Sequence, residues 1–245
     1  MFRNKGNRRT FKHNLQLAIV LSFVAGIVNV VGFLALSQLT TNVTGHFALF
    51  INDVSNFHFW RGTIYFAYIG SFFLGSFVSN FLMEISRKNK SLNVFVYPIA
   101  IESLILLGIA IWSGFQTLGS VDVLACLLLF SMGLQNSYVT KISNTVVRTT
   151  HLTGLFTDLG IETSQLFFSE NHPNRKKLKS KIQLRISIIS FFFLGGLIGG
   201  FLYSRLNLEL MTLAFAAFIL IFSLFYDVLR LRVIKRKRKV RKMAT

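Results

Sequence analysis

The 245-residue chain is 52% hydrophobic and holds 27 Phe, 2 Pro and only 15% charged residues, against about 25% charged in a soluble domain. Charge-free apolar runs of roughly 18 or more residues recur along it, which argues for membrane spans and against a soluble core. The net charge of +18 does not point to nucleic acid, because the basic residues gather at the two tails and in two loops beside apolar runs, as juxtamembrane residues do. The single cysteine, Cys126, lies inside an apolar run, so no disulfide framework or cysteine-based metal site forms within one chain. The histidines are scattered without metal-ligand spacing, and no cofactor is expected.

Residues 1–14 carry Arg3, Lys5, Arg8, Arg9 and Lys12 and read as a disordered basic arm. The first predicted span is Leu15–Leu36. A basic start before an apolar run resembles a signal peptide, and Ala35-Leu36-Ser37 faintly resembles a cleavage site. The run is longer than the ~7–15 residues of a signal sequence's apolar region, and it takes part in an internal repeat, so it is kept as a span. A Thr-rich motif follows at Thr40–Asp53, TTNVTGHFALFIND. Its apolar part, Phe47–Val54, is too short to cross a bilayer and suits a half-helix or re-entrant turn. Asn42-Val43-Thr44 fits a glycosylation pattern, which we read as coincidence this close to the membrane.

Span two is Gly62–Met83, followed by a basic loop with Arg87, Lys88 and Lys90. Span three, Val94–Gly114, contains Pro98 and Glu102. A chargeless turn, Phe115–Ser120, leads to span four, Val121–Val139. A long polar segment, Lys141–Arg185, opens with a second motif at Thr149–Glu162, TTHLTGLFTDLGIE. Its later part, His172–Lys181, is dense in Lys and Arg and reads as a solvated loop. Span five is Ile186–Tyr203, and a short loop holds Arg205 and Glu209. Span six is Leu210–Leu229, and residues 230–245 form a basic tail.

The two motifs are copies. Thr44-Gly45 aligns with Thr153-Gly154, Thr40-Thr41 with Thr149-Thr150, Phe47 with Phe156 and Asp53 with Glu162. The likeness extends outward: Gly26-Ile27-Val28-Asn29 matches Gly133-Leu134-Gln135-Asn136, and Leu74-Gly75-Ser76 with Ser79 matches Leu194-Gly195-Gly196 with Gly199. An internal repeat decides architecture before other signals are read. Residues 15–114 form one three-span copy and 121–229 the second. An odd number of spans per copy makes the repeat inverted, a plan that recurs in secondary transporters with the ligand near the midplane at the repeat interface. With six spans, every Lys and Arg except Arg61 and Arg205 lies on one side, and the positive-inside rule places both termini in the cytoplasm.

Each motif offers a ligand seat. Thr44 and Thr153 stand just before helical patterns and read as N-cap hydroxyls, and a capped half-helix aims free N–H groups and partial positive charge at what lies ahead. In a membrane that suits an anionic group, and Gly45 and Gly154 let the backbone approach closely. Satisfying a helix start at the membrane surface is the simpler role for one copy alone. Thr41, Thr150, Asn29 and Asn136 match across the repeat; amides inside spans either bridge helices or touch a ligand, and bridging is the simpler of the two. Arg148 faces an anionic ligand, pairs with Glu162, or is an ordinary cytoplasmic anchor. Asp158, Glu162 and Gln165 share one helical face and with Asp53 are coupling or proton-relay candidates; for Asp158 a solvated face is the plainer reading. Glu102 lies within span three, where an ionisable residue is a functional hypothesis by default. The small-residue pairs Gly195/Gly199, Gly196/Gly200 and Gly75/Ser79 are read as close helix packing.

Gly26 with Asn29, Val43-Thr44-Gly45, Met132-Gly133-Leu134-Gln135-Asn136, and Arg148-Thr149-Thr150-His151-Leu152-Thr153-Gly154 followed by Asp158 resemble the YoaK family, bacterial integral membrane proteins of unknown function. The resemblance covers nearly the whole chain except the tails. It implies a bacterial plasma membrane and about six spans, and supplies no activity. The family usually has Asn after the first Thr-Gly, where this chain has His46; if that position touches a ligand, its chemistry differs here.

The expectation is therefore an all-α, polytopic membrane protein: six transmembrane helices as two inverted three-helix repeats, with re-entrant or half-helices after the Thr-Gly motifs. A small-solute transporter or permease fits best, with an anion or zwitterion bound between the motifs. A non-transporting lipid-binding or assembly factor is second. An enzyme is third, since no catalytic grouping is visible. Anionic lipid headgroups are the expected partners of the basic tail and loops, nucleic acid is not, and a homo-oligomer stays open.

Overall fold

The computed structural model describes residues 9–86, 94–113, 120–168 and 175–226. The described secondary structure is helical: α1 Phe11–Leu36, α2 Val43–Ser55, α3 Phe59–Ser86, α4 Val96–Ser113, α5 Val121–Ser143, α6 Leu152–Phe167 and α7 Arg175–Ser204. The last element, α8, falls within Glu209–Tyr226 and opens with a 3-10 turn at Glu209–Met211. Six of these helices, all but α2 and α6, are long and apolar enough to cross a membrane, and the chain is a multi-pass membrane protein. The two short helices follow the two motifs, as the length of their apolar segments requires.

Local chemistry explains the helix ends. Thr10 and His13 form a reciprocal capping box at the start of α1, and Ser37 closes it in the left-handed region at φ 55°. Ser120 caps α5 by accepting from the Val123 N–H at 3.3 Å. Asp122 in the first turn of α5 and Lys141 in its last turn match the helix dipole. Asn144 ends α5 in the left-handed region, where Asn is tolerated.

Two differences from the sequence reading concern basic segments. Phe11–Asn14 belongs to α1 rather than to an arm. Residues 175–181, expected in a solvated loop, are the first two turns of α7. Lys and Arg are good helix formers, and the charges surround Leu178, which is buried, so this stretch is the amphipathic start of a helix. Residues 1–8, the loop at Arg87–Lys90, most of the turn before Ser120, His172 and the tail from 227 onward lie outside the described residues.

The packing repeats with the sequence. The most apolar stretches of α1 and α5 are each 61% buried, those of α3 and α7 22%, and those of α4 and α8 39%. Helices in matching positions therefore have matching burial, with α1 and α5 at the centre. The most extensive contacts are α1 with α7 and α3 with α5, so the first span of each half packs on the second span of the other. Both crossings use glycine. A Cβ on Gly26 of α1 would collide with the Phe192 carbonyl oxygen of α7, and one on Gly195 with the Phe23 carbonyl oxygen of α1. At the other crossing, Gly133 of α5 meets the Phe72 carbonyl oxygen of α3, and Gly75 meets that of Phe130. Missing side chains let backbones approach this closely, the standard device for membrane helices. Ser76 adds a hydrogen bond to the Gly133 carbonyl at 3.0 Å.

Candidate functional site

After α1 ends, the chain doubles back along it. Thr40 donates through its hydroxyl to the Val28 carbonyl at 3.2 Å, and Thr41 donates to Asn29 Oδ1 at 2.7 Å. Asn29 is seven residues before the end of α1, so at 1.5 Å rise per residue the motif re-enters by about 10 Å. The second copy repeats the Thr–Asn bond and reverses the direction of the other. Thr150 donates to Asn136 Oδ1 at 2.9 Å, and Thr149 accepts from Gln135 Nε2 at 3.2 Å. Gln135, the counterpart of Val28, also donates to the Leu21 carbonyl of α1 at 2.9 Å, tying the second motif to the central pair. The amides thus bridge helix and motif in both halves.

The half-helices begin two residues earlier than expected. Asn42, not Thr44, caps α2, its side chain accepting from the Gly45 N–H at 3.2 Å. His151, not Thr153, occupies the cap of α6 and makes no side-chain cap bond. Its ring lies instead against Gly154, where a Cβ would collide with it. Asn is as good a cap as Ser and better than Thr, which is why the register favours position 42. Thr44 and Thr153 therefore sit within the first helical turn, with exposed side chains.

Both helix starts open on one cavity of about 930 Å³. From the first half it is lined by Asn29, Thr41, Thr44 and Gly45, and from the second by Asn136, Arg148, Thr150 and Thr153. Phe72 and Phe192, equivalent residues of α3 and α7, complete its walls with Leu39 and Leu152. Gly154 lies instead on a neighbouring cavity of about 260 Å³, which shares Arg148 and His151 with the first and adds Asp158, Lys181 and Arg185. Among the described residues Arg148 has no ion-pair partner, and it is exposed in the wall common to both cavities.

The acids are placed elsewhere. Glu162 is engaged by Arg185, not by Arg148: Arg185 Nε and Nη2 donate to its two carboxylate oxygens at 2.6 and 2.9 Å. Arg185 Nη1 also reaches Asp158 Oδ2 at 2.9 Å, and Lys181 stands 3.7 Å from Glu162. This cluster fastens α6 to α7. Asp53, the counterpart of Glu162, lines neither cavity, and among the described residues its carboxylate accepts a single long bond, from the Asn52 amide at 3.4 Å. Glu102 is fully buried behind α5, accepting from the Tyr138 hydroxyl at 2.7 Å. His46 also turns away from the cavity. Its Nε2 donates to the Leu39 carbonyl at 2.9 Å, and its ring packs between Tyr65 and Tyr68. Tyr68 in turn donates to Asp122 at 2.6 Å.

Sequence reasoning missed Arg185 as the partner of the α6 acids, the capping role of Asn42, the place of His151 at the α6 start, and the paired phenylalanines. Two acids four residues apart on one helical face do ask for a cation, and Arg185 opens the next apolar run. The phenylalanines gave no signal, being two among 27.

A family model described as "Protein of unknown function (DUF1275)" matches residues 17–226, which takes in both motifs, α1 from its second turn onward and the other five long helices. No curated protein and no solved structure matches the chain. The chain thus belongs to the DUF1275 family of unknown function, of which YoaK is a member.

Proposed function

We propose that this protein is a small-solute transporter or permease of the bacterial cytoplasmic membrane, binding an anionic or zwitterionic solute between its two Thr-Gly motifs. The observation that carries this reading is the shared cavity: two interrupted regions from opposite halves bring half-helix N-termini, amides and hydroxyls to one chamber. Irregular backbone at membrane depth is tolerated where it lines a cavity, and paired broken helices around a central site are how repeat-built transporters hold substrate. The N-termini supply partial positive charge there. The distribution of Lys and Arg supports cytoplasmic termini, and anionic lipid headgroups are the partners we assign to the basic tail and loops. We read the protein as a carrier rather than an enzyme, because the described residues lining the cavity offer donors and apolar surface and no hydroxyl hydrogen-bonded to His151.

Coupling to protons or cations would fall to Asp53, Glu102, Asp158 or Glu162. The pairing of Asp158 and Glu162 with Arg185 favours a latch between α6 and α7 over a freely titrating relay. A second reading, a lipid-binding or assembly factor, draws on the apolar walls at Leu39, Phe72, Leu152 and Phe192, which suit an acyl chain. Solute flux in proteoliposomes separates the two. Flux abolished by Thr44→Val and Thr153→Val in folded protein supports transport through the motifs. Undiminished flux removes the motifs from the mechanism, and co-purified lipid with no flux favours the second reading.

A further inference from the structure

We infer that the solute is an organic monoanion, its acid group held by Arg148 and the α6 N-terminus and its carbon body held between Phe72 and Phe192. This rests on the transport reading and narrows it. The argument is an account of charge and of donors. Among the described residues lining the cavity, Arg148 is the only one with a fixed charge, and none is Asp or Glu. Glu162, the carboxylate that would have neutralised Arg148, is taken by Arg185. A guanidinium exposed in the wall of this cavity, with no ion-pair partner among the described residues, calls for an anion.

The hydrogen-bond inventory points the same way. Thr41 and Thr150 spend their hydroxyl protons on the Asn29 and Asn136 carbonyl oxygens, which leaves both amide nitrogens as donors. The α6 cap supplies no side-chain acceptor for its first N–H groups, so those donors stay available as well. A zwitterion would bring an ammonium with no carboxylate to receive it, and a dianion would meet one full positive charge where it needs two. The paired phenyl rings add an apolar surface that a bare inorganic ion would leave unused.

The repeat supplies a control. The counterpart of Arg148 is Leu39, which lines the same cavity. The charge therefore sits on one side of a chamber to which both halves bring matching Thr–Asn pairs, and moving it to the mirror position, where Asn42 already holds the Gly45 N–H, should preserve the preference for an acid group. Full-length protein in neutral-lipid nanodiscs is titrated calorimetrically with benzoate, benzamide, phthalate and oleate. Benzoate is expected to bind at least about tenfold tighter than benzamide, the size of one charge-assisted hydrogen bond. Arg148→Leu should erase that preference and the double variant Arg148→Leu/Leu39→Arg should restore it. Leu39→Arg alone should shift preference toward phthalate, a test that holds even where Arg148→Leu fails to fold. Oleate bound in place of benzoate supports the same chemistry with the bilayer as its source. Benzamide bound as tightly as benzoate, a preference unchanged in Arg148→Leu, or no acid bound at all overturns the inference. Benzoate bound but not carried into proteoliposomes removes the transport reading and leaves the charge assignment standing; flux of a neutral or cationic solute without benzoate binding does the reverse.

Discussion

Replacing Arg185 with Leu removes two hydrogen bonds to Glu162, of 2.6 and 2.9 Å, and a contact of 2.9 Å to Asp158. The Glu162 side chain is only 8% exposed, so its carboxylate would stay buried with Lys181 at 3.7 Å as its remaining ion-pair partner. Breaking a buried pair from one side costs about 3–5 kcal/mol, mostly the penalty of the stranded charge. Asp158 is 51% exposed, and Asp158→Asn should cost less than about 1 kcal/mol. The double variant Arg185→Leu/Glu162→Leu removes both charges and should cost far less than the sum of the single changes, with a coupling energy of about 2 kcal/mol or more. Denaturation of the purified protein in detergent, followed by near-UV circular dichroism, reads all of these. Additive single and double effects, or a loss below about 1 kcal/mol in Arg185→Leu, would refute the latch between α6 and α7.

Three further outcomes follow, two of them from the paired architecture. Gly26→Val and Gly133→Val each push a side chain into a carbonyl oxygen across a helix crossing, and each should lower stability by about 1–3 kcal/mol; a marked difference between them on thermal denaturation would count against equivalent crossings. Thr41→Val and Thr150→Val each remove one hydroxyl bond to a matching Asn, worth about 1 kcal/mol, and both should weaken solute binding in the cavity; normal binding in either variant argues that its Asn–Thr pair is only structural. Tyr138→Phe takes away the donor to Glu102 Oε2, whose other oxygen already lacks a partner, so a loss of about 1–3 kcal/mol is expected. Unchanged denaturation of Tyr138→Phe would show that Glu102 finds another donor.

The membrane spans and the repeat were legible because their physics is local and blunt. A span needs about 20 apolar residues, and the Thr-Gly motifs align residue by residue. The small-residue pairs on α3 and α7 also read correctly, since glycine at helical spacing has few other uses inside a span. The start of α7 did not, because five cations between 175 and 181 look solvated by composition, and one buried Leu178 is too little pattern to reveal a helix. The Thr44 and Thr153 cap assignments failed by two residues because several good capping types stand side by side in each motif, and only the backbone decides among them. The pairing of Glu162 with Arg185, rather than with Arg148, was equally hidden. Sequence placed both charges near one motif, but not the turn of α7 that brings Arg185 to the acid and leaves Arg148 to the cavity.

The central claim is that two half-helices enter one chamber from opposite faces of the membrane. Asn56, at the end of α2, and Phe168, at the end of α6, are both exposed. In a Cys126→Ser background, Asn56→Cys should react with a membrane-impermeant maleimide from outside intact cells, and Phe168→Cys only after the cytoplasmic face is opened. Labelling of both cysteines from the same face would contradict the inverted arrangement and the shared central site built on it.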